Sequence, residues 1–271
     1  MRWPWTGSED EKKSRLTSWT GAVSTTNWSS TFTDAQTLIP AVVFAATTVG
    51  ALRIYKSYFR RIPSVNHIKP GYFRRRSLFG RVTTVGDADN FRLFHTPGGR
   101  LAGWGFLPWK KVPTTREGLL RKTIHIRLAG IDAPELAHFG REAQPFSKEA
   151  HEWLIQYIQD RRVRAYIYRR DQYDRVVAQV YVRRWLWRKD IGLEMLKMGF
   201  ATVYEAKSGS EFGEFEQRYR DAEQKARESK VGMWSKSTIL GRLRGGSAKA
   251  PESPREYKQR HTAADKLKKI I

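Results

Sequence analysis

Four carboxylates in the sequence occupy two short clusters beside predicted β-strands. Asp87 and Asp89 lie in GDADN, and Asp132 and Glu135 lie in GIDAPE. Aspartate is common at turns because its side chain hydrogen-bonds the nearby backbone, so each residue taken alone is explained as a turn former. Taken together, the clusters permit a second interpretation. A hard cation such as Ca²⁺ needs converging carboxylates, a backbone carbonyl and waters. Asp89 and Asp132 supply the carboxylates if the two turns meet.

Two arginines accompany the acidic clusters. Arg127 lies on the polar face of the strand before GIDAPE, and Arg175 begins a later strand. Cleavage of a phosphodiester needs a Lewis acid, a positioned water and cationic donors for the transition-state oxygens. The carboxylates and arginines of this chain include a candidate for each of these parts.

Strands and helices that could position these residues lie between about residues 80 and 234. RVTTVGDADNFRLFH predicts two strands around the Asp87–Asp89 turn, TIHIRLAGI a third, and RVRAYIY and RVVAQVYV two more. Apolar spacing predicts three helices, within 141–158, 190–198 and 211–228. We therefore expect an α+β domain, a partly open five-stranded barrel of the OB-fold type with about three helices packed outside, because that fold presents a cleft to nucleic acid.

Charge is distributed unevenly along the 271 residues, which have a formal net charge of +23 and no cysteine. A net charge this large predicts a polyanionic partner, either nucleic acid or an anionic membrane surface. The lack of cysteine excludes a disulfide scaffold, a Cys-ligated metal and a cysteine nucleophile. Residues 35–52 contain no charged side chain, whereas residues 53–81 contain nine basic residues and no acidic one.

The uncharged run favours a single membrane-spanning helix. Its length is close to the roughly 20 residues that cross a bilayer, and it is apolar on every face. A buried core helix would be apolar along one stripe only, and a signal peptide would begin nearer the N-terminus after basic residues. Because basic residues follow the run, we expect the C-terminal part to stay on the side from which the helix inserts.

These patterns predict five segments. They are a mobile N-terminal arm at 1–34, a transmembrane helix at 35–58, a basic linker at 59–78, a catalytic domain at 79–235 and a basic disordered tail at 236–271.

Four segments of the domain, in order, resemble the staphylococcal nuclease (thermonuclease-like) family: RLAGIDAPE, FGREAQPFSKEA, YDRVVAQVYV and EQRYRDAEQKARESKVGMWS. The span, basic segment and domain in this order are similar to fungal mitochondrial membrane-anchored probable endonucleases. The resemblance implies a Ca²⁺-dependent endonuclease acting on DNA or RNA, with a monomeric catalytic domain tethered to a mitochondrial membrane.

Three residues match the catalytic positions of that family. Arg127 matches the first phosphate-binding arginine. Arg175 matches the second arginine, which stabilises the pentacoordinate phosphate or the leaving group. Glu135 matches the glutamate that acts on the attacking water.

The resemblance also implies the metal ligands. Asp132 and Asp89 match the two calcium carboxylates, and Ala133 matches the residue whose backbone carbonyl is a third ligand. The family's first motif is usually D-G-D-T, but here it reads Asp87–Ala88–Asp89–Asn90. Alanine in place of glycine would strain the turn if it requires a positive φ.

Two alternatives stay open. A catalytically silent nuclease-like domain could act as a membrane-tethered nucleic-acid-binding module, and a basic membrane-surface adaptor could use residues 53–81. Silent relatives usually lack one of the catalytic residues, whereas this chain retains Arg127, Glu135 and Arg175. The sequence also contains neither a phosphate-binding G-x-x-x-x-G-K-[ST] loop nor an H-E-x-x-H zinc motif.

Overall fold

The computed structural model describes residues 35–137, 142–204, 212, 215–235, 253–258 and 260. The chain divides into two compact units, Met1–Tyr58 and Phe59–Ile271. The predicted arm at 1–34 lies outside the described residues.

One long helix, α1 (Ala35–Ile54), accounts for the described part of the first unit up to Ile54, and a π-helical turn at Tyr55–Phe59 follows it. The stretch Leu38–Phe59 has a mean hydropathy of 1.7 and none of it is buried within the structure. The hydroxyls of Thr47 and Thr48 donate to carbonyls one turn earlier, so neither requires an outside partner. The helix is therefore long and apolar enough to cross a membrane.

The second unit is a β-barrel with helices outside it. Its strands are β1 (Ser77–Asp87), β2 (Asn90–His95), β3 (Ile124–Leu128), β4 (Ile131–Asp132), β5 (Arg162–Arg170), β6 (Val176–Arg184), β7 (Trp187–Asp190) and β8 (Thr202–Val203). Strand β1 pairs with β2 and β5, β2 pairs with β3, β5 pairs with β6, and β6 closes the ring on β3 in parallel register. Among the described residues this ring has five strands, which confirms the α+β barrel expected from the sequence.

Alternation along the strands fills the barrel interior. In β3 the side chains of Ile124, Ile126 and Leu128 are buried, while His125 and Arg127 between them face outward and are partly exposed. In β6 the predicted buried face is also found: Val176, Ala178, Val180 and Val182. Since a strand places successive side chains on opposite faces, packing the apolar set inward turns the polar set toward the outer surface.

The helices are α2 (Arg116–Leu119), α3 (Ser147–Ile158), α4 (Ile191–Lys197) and α5 (Glu216–Glu228). Helix α3 is shorter than predicted, because Phe146 has a φ of 65° and cannot continue a right-handed helix. The long segment between β2 and β3 contains two 3₁₀ turns and the single-turn α2.

The domain begins earlier than the sequence suggested. Residues 59–78 were expected to form a linker, but Ile62, Val65 and Ile68 are buried in the core of the barrel. Burying three aliphatic side chains stabilises the folded state by several kcal/mol, roughly 2 kcal/mol for each. The second compact unit therefore starts at Phe59.

Candidate active site

A cleft of about 740 Å³ on the outer surface of the barrel brings together the three predicted catalytic residues and one proposed metal ligand, Asp89. Arg127 lies in β3, Arg175 directly precedes β6, and Glu135 and Asp89 lie in the two acidic segments. The residues lining the cleft are Asp87, Asp89, Arg127, Glu135, Arg169, Asp171, Gln172, Tyr173, Arg175, Tyr204 and Lys258.

Arg127 is the centre of an ionic cluster. Its Nε donates to Asp89 Oδ2 at 2.9 Å, and one terminal nitrogen donates to Asp132 Oδ1 at 3.5 Å. Its guanidinium also lies 5.0 Å from the centre of the Tyr204 ring. The parallel pairing of β3 with β6 brings this arginine near the start of β6, where Arg175 lies.

The Asp87–Asp89 turn joins β1 to β2 and presents both carboxylates to the cleft. Burial, with help from Asp89 and Glu135, raises the pKa of Asp87 to about 6. Burial also acts to raise the pKa of Asp89, but the charges of Arg127, Lys258 and Arg175 outweigh it and hold that pKa below its ordinary value. Ala88 is fully buried and is not among the described residues with positive φ, so the turn forms without the feared strain.

Arg175 is fixed by Asp171. Its Nε donates to Asp171 Oδ2 at 2.7 Å, and its backbone N–H donates to Asp171 Oδ1 at 2.9 Å. The backbone N–H of Tyr173 donates to the same Oδ1 at 2.8 Å. These bonds outweigh burial and lower the pKa of Asp171, so the carboxylate stays charged and holds the arginine at the mouth of the β5–β6 hairpin.

Glu135 is held through its backbone by Gln144. The Glu135 N–H donates to Gln144 Oε1 at 3.2 Å, and the Gln144 N–H donates to the Glu135 carbonyl at 2.9 Å. Gln144 is buried, whereas the side chain of Glu135 is 37% exposed. The main chain is therefore anchored while the carboxylate extends into the cleft.

Asp132 lies on β4, which pairs with β8, and it lines a neighbouring cavity that shares Tyr204 with the cleft. Its carbonyl accepts from Thr202 Oγ1 at 3.3 Å, and its side chain is 5% exposed. Burial raises the pKa of Asp132 despite the nearby cations Lys258 and Arg127. Ala133, the proposed carbonyl ligand, is also buried directly beyond it.

Lys258, from the predicted tail, lies between the carboxylates. Its Nζ is 2.6 Å from Asp132 Oδ1 and 3.0 Å from Glu135 Oε1. These two acids outweigh burial and raise the pKa of the ammonium. The tail segment is helical at residues 254–258. Tyr257 anchors it, since its ring is buried and its hydroxyl donates to the Glu142 carbonyl. The tail was expected to be disordered, and this described part of it instead packs on the site.

The carboxylates of Asp89, Asp132 and Glu135 are ligands of the type that a hard cation binds. Asp89 and Asp132 both reach the guanidinium of Arg127, and Asp132 and Glu135 both reach the ammonium of Lys258. Carboxylate oxygens are the ligands that Ca²⁺ prefers. Within the described ranges, no group of three His, Asp or Glu side chains is arranged closely enough to hold a metal ion. The carboxylates therefore converge around cationic side chains, and a metal would have to replace one of them.

Three features of the site were missed by the sequence reasoning. Lys258 was assigned to a disordered tail, Gln144 was assigned to a helix, and Asp171 was not singled out. An acid four residues before Arg175 was a usable signal for Asp171, because a short hairpin turn places such residues side by side. Nothing local pointed to Lys258 or Gln144, since the partners of Lys258 are distant in sequence and Glu135 lies nine positions before Gln144.

Comparison with known proteins identifies close relatives. The profile of the family described as "Staphylococcal nuclease homologue" matches residues 125–236. A protein named "Probable endonuclease lcl3" from Pyrenophora tritici-repentis is 66% identical over 99% of each chain. A protein of the same name from Phaeosphaeria nodorum is 61% identical over 99% of this chain and all of its own. Another, from Sclerotinia sclerotiorum, is 57% identical over 97% of this chain and 95% of its own.

Proposed function

Because this chain belongs to the staphylococcal nuclease homologue family and is a nuclease, we propose that it is a membrane-anchored, Ca²⁺-dependent endonuclease that hydrolyses phosphodiester bonds of DNA or RNA. The main support is the single cleft that Arg127, Glu135 and Arg175 line together with Asp89. The catalytic domain acts as a monomer, since the described residues from one chain supply every proposed role.

The two arginines bind the phosphate. Their guanidinium groups offer paired N–H donors to phosphate oxygens. As a scale, an arginine contributed to a phosphoryl-transfer transition state can be worth about 10³–10⁵ in rate. Arg127 now donates to Asp89 and Asp132, and Arg175 to Asp171, so both are oriented before a phosphate arrives.

Glu135 positions and deprotonates the attacking water. Its carboxylate extends into the cleft from a backbone anchored by Gln144. The water oxygen bonds to phosphorus, its proton passes to Glu135, one P–O ester bond breaks, and the leaving oxygen takes a proton from solvent.

Asp132, Asp89 and the carbonyl of Ala133 are the proposed ligands of Ca²⁺. When bound there, the metal would polarise the phosphate and lower the pKa of water. Lys258 competes for the same carboxylate, because its ammonium lies 2.6 Å from Asp132.

Helix α1 is the proposed anchor. Its apolar surface and the nine basic residues at 53–81 support a single span with the nuclease on the side of insertion. A mitochondrial membrane is the proposed location, by resemblance to the fungal endonucleases. Fractionation of cells that express the full chain tests it: the protein should resist carbonate extraction of mitochondria, and release by carbonate would refute the span.

Cleavage by the purified full chain in mild detergent tests the catalytic assignment. A closed circular DNA and a fluorescent RNA are incubated across a Ca²⁺ titration, with EGTA as the metal-free arm. Internal cuts should appear only when Ca²⁺ is present. The variants Arg127→Ala, Glu135→Ala and Arg175→Ala should each show no such cuts. Arg220→Ala on α5, which removes an exposed arginine paired with Glu216, is the matched control and should cut normally.

Nucleic-acid binding without Ca²⁺-dependent cutting by the wild type would instead favour the alternative of a catalytically silent, membrane-tethered binding module. That module would explain the basic surface, but it gives no role to the clustered Arg127, Glu135 and Arg175.

A further inference from the structure

A second cavity lies on the outer face of β5, β6 and β7, and none of its lining residues lines the catalytic cleft. Its volume is about 510 Å³. It is lined by four aromatic rings, three arginines and two uncharged polar residues: Tyr166, Tyr168, Tyr181, Phe215, Arg74, Arg164, Arg188, Ser77 and Gln179. We refer to it as the β5–β7 groove.

Strand alternation places these side chains on one surface. Tyr166 pairs with Gln179 across β5 and β6, and Arg164 pairs with Tyr181. Tyr168 follows Tyr166 by two residues, so it lies on the same outer face and packs beside Tyr166. The groove is therefore a product of regular strand pairing, which the β-bulge between Ile167 and Arg169 interrupts.

The rings of Tyr166 and Tyr168 are held in fixed orientations. Tyr168 donates to Gln179 Oε1 at 3.0 Å, and Gln179 Nε2 donates to Asp190 Oδ2 at 2.7 Å. Tyr166 donates to the Arg74 carbonyl, and its ring meets that of Tyr168 edge-on at 5.5 Å. Rigid rings lose little conformational entropy when a ligand packs on them.

The charge of the groove is one-sided. Three arginines line it, all three exposed, and none of its lining residues is acidic. Arg164 donates to the neutral hydroxyl of Ser77 at 2.9 Å and lies 5.4 Å from the Phe79 ring. Aromatic faces interleaved with arginines are the combination by which proteins bind single-stranded nucleic acid, the bases stacking and the phosphates pairing with cations.

The groove and the catalytic cleft share β6. Outward positions along this strand run from Val177 through Gln179 to Tyr181, and Arg175 lies two residues before Val177. At a rise of about 3.3 Å per residue, Tyr181 is roughly 20 Å from Arg175. Sites on OB folds span about 4–16 nucleotides, so one bound strand can reach both.

We propose that the β5–β7 groove binds a single-stranded segment of the substrate next to the phosphate that is cut. The proposal rests on the proposed nuclease function and adds a second contact surface to it. Arg164 and Arg188 bind phosphates, and Tyr166 and Tyr181 stack on bases.

Binding by the full chain in detergent tests the groove separately from catalysis. The affinity for a fluorescent 15-nucleotide oligothymidylate is measured by anisotropy in EGTA at several salt concentrations. The Arg164→Glu/Arg188→Glu variant should bind at least tenfold more weakly, with a shallower salt dependence. The Arg220→Glu/Arg227→Glu variant, which has the same change of net charge on α5, is the matched control. Tyr181→Ala should weaken binding without any change of charge.

Cleavage assays then distinguish the proposed binding groove from the proposed nuclease function. With Ca²⁺, the groove variants should cut the 15-mer less efficiently and a dinucleotide as well as the wild type does. Equal binding by groove and control variants would overturn the groove, even if the wild type cuts. Groove-dependent binding without any cutting would refute the proposed nuclease and support the groove. A groove that binds anionic vesicles and has no effect on oligonucleotide affinity would also overturn the proposal.

Discussion

The ammonium of Lys258 lies 2.6 Å from Asp132 and 3.0 Å from Glu135, so a residue near the C-terminus forms ion pairs with a proposed metal ligand and the proposed base. The side chain of Asp132 is only 5% exposed and cannot also bind a cation from solvent while this contact persists. Calcium and lysine are therefore expected to exclude each other at Asp132.

Lys258→Ala should raise the affinity for Ca²⁺ at least tenfold, because the metal no longer displaces an ammonium. Calorimetric titration of the full chain with Ca²⁺ measures this directly, without reference to activity. Arg255→Ala removes a positive charge from the same segment without removing the Asp132 contact, and should bind Ca²⁺ as the wild type does. Tyr257→Ala, which removes the buried anchor, should shift the affinity in the same direction as Lys258→Ala. Unchanged affinity in both would show that the segment does not compete.

Asp171→Ala should lower kcat/KM by about 10², because Arg175 loses the carboxylate that orients it and small displacements of a catalytic group are costly. Asp171→Asn retains an oxygen that can accept from the backbone of Tyr173 and Arg175, and should lose less. Steady-state cleavage at saturating Ca²⁺ provides the values. If both variants match the wild type, Arg175 is held by other contacts.

Leu154→Ala should lower the free energy of unfolding by about 2–5 kcal/mol, because it opens a cavity where α3 packs on the barrel. Leu186→Ala, at a position that is 70% exposed, is the matched control and should change it by less than about 0.5 kcal/mol. Urea unfolding of the detergent-solubilised chain, followed by tryptophan fluorescence, compares them. Equal effects would contradict the packing described for α3.

The stability that the neutral rings of His95 and His125 contribute should be lost as the pH drops from about 6.5 to 4. Burial lowers the pKa of His95 to about 4, and its Nδ1 accepts from the Ile62 N–H at 2.9 Å, which requires a neutral ring. Burial likewise lowers the pKa of His125 to about 4. At these two histidines the unfolded chain binds more protons in this window, so their protonation favours unfolding, by up to about 3 kcal/mol for His95. Asp87, whose pKa is raised to about 6, acts in the opposite direction.

Replacing both histidines by glutamine should flatten this pH dependence. Unfolding curves at pH 7, 6, 5 and 4 give the free energy of unfolding of the wild type and of His95→Gln/His125→Gln. Both proteins have the same carboxylates, so the difference between the two values at each pH reports the histidines alone. Parallel curves for the two proteins would show that neither imidazole is kept neutral by the fold.

Local patterns in the sequence were sufficient for the barrel and for most of the cleft. The period-2 alternation of β3 and β6 specified which side chains face the core, and so directed Arg127 outward. The boundaries were less well determined. Phe146 shortened α3 through its positive φ, and Ile62, Val65 and Ile68 joined the core from a segment whose positive charge had suggested a linker. Neither outcome depends on periodicity.

The sequence by itself determined the five strands of the barrel ring, the apolar helix and the identity of the residues that could perform phosphodiester chemistry, because these follow from side-chain type and spacing along the chain. Tertiary structure decided which of them meet. Parallel closure of β3 on β6 brought Arg127 toward Arg175, and packing of Tyr257 placed Lys258 against Asp132. The physical reason is that a contact between residues far apart in sequence depends on how the whole barrel packs, which no short segment encodes.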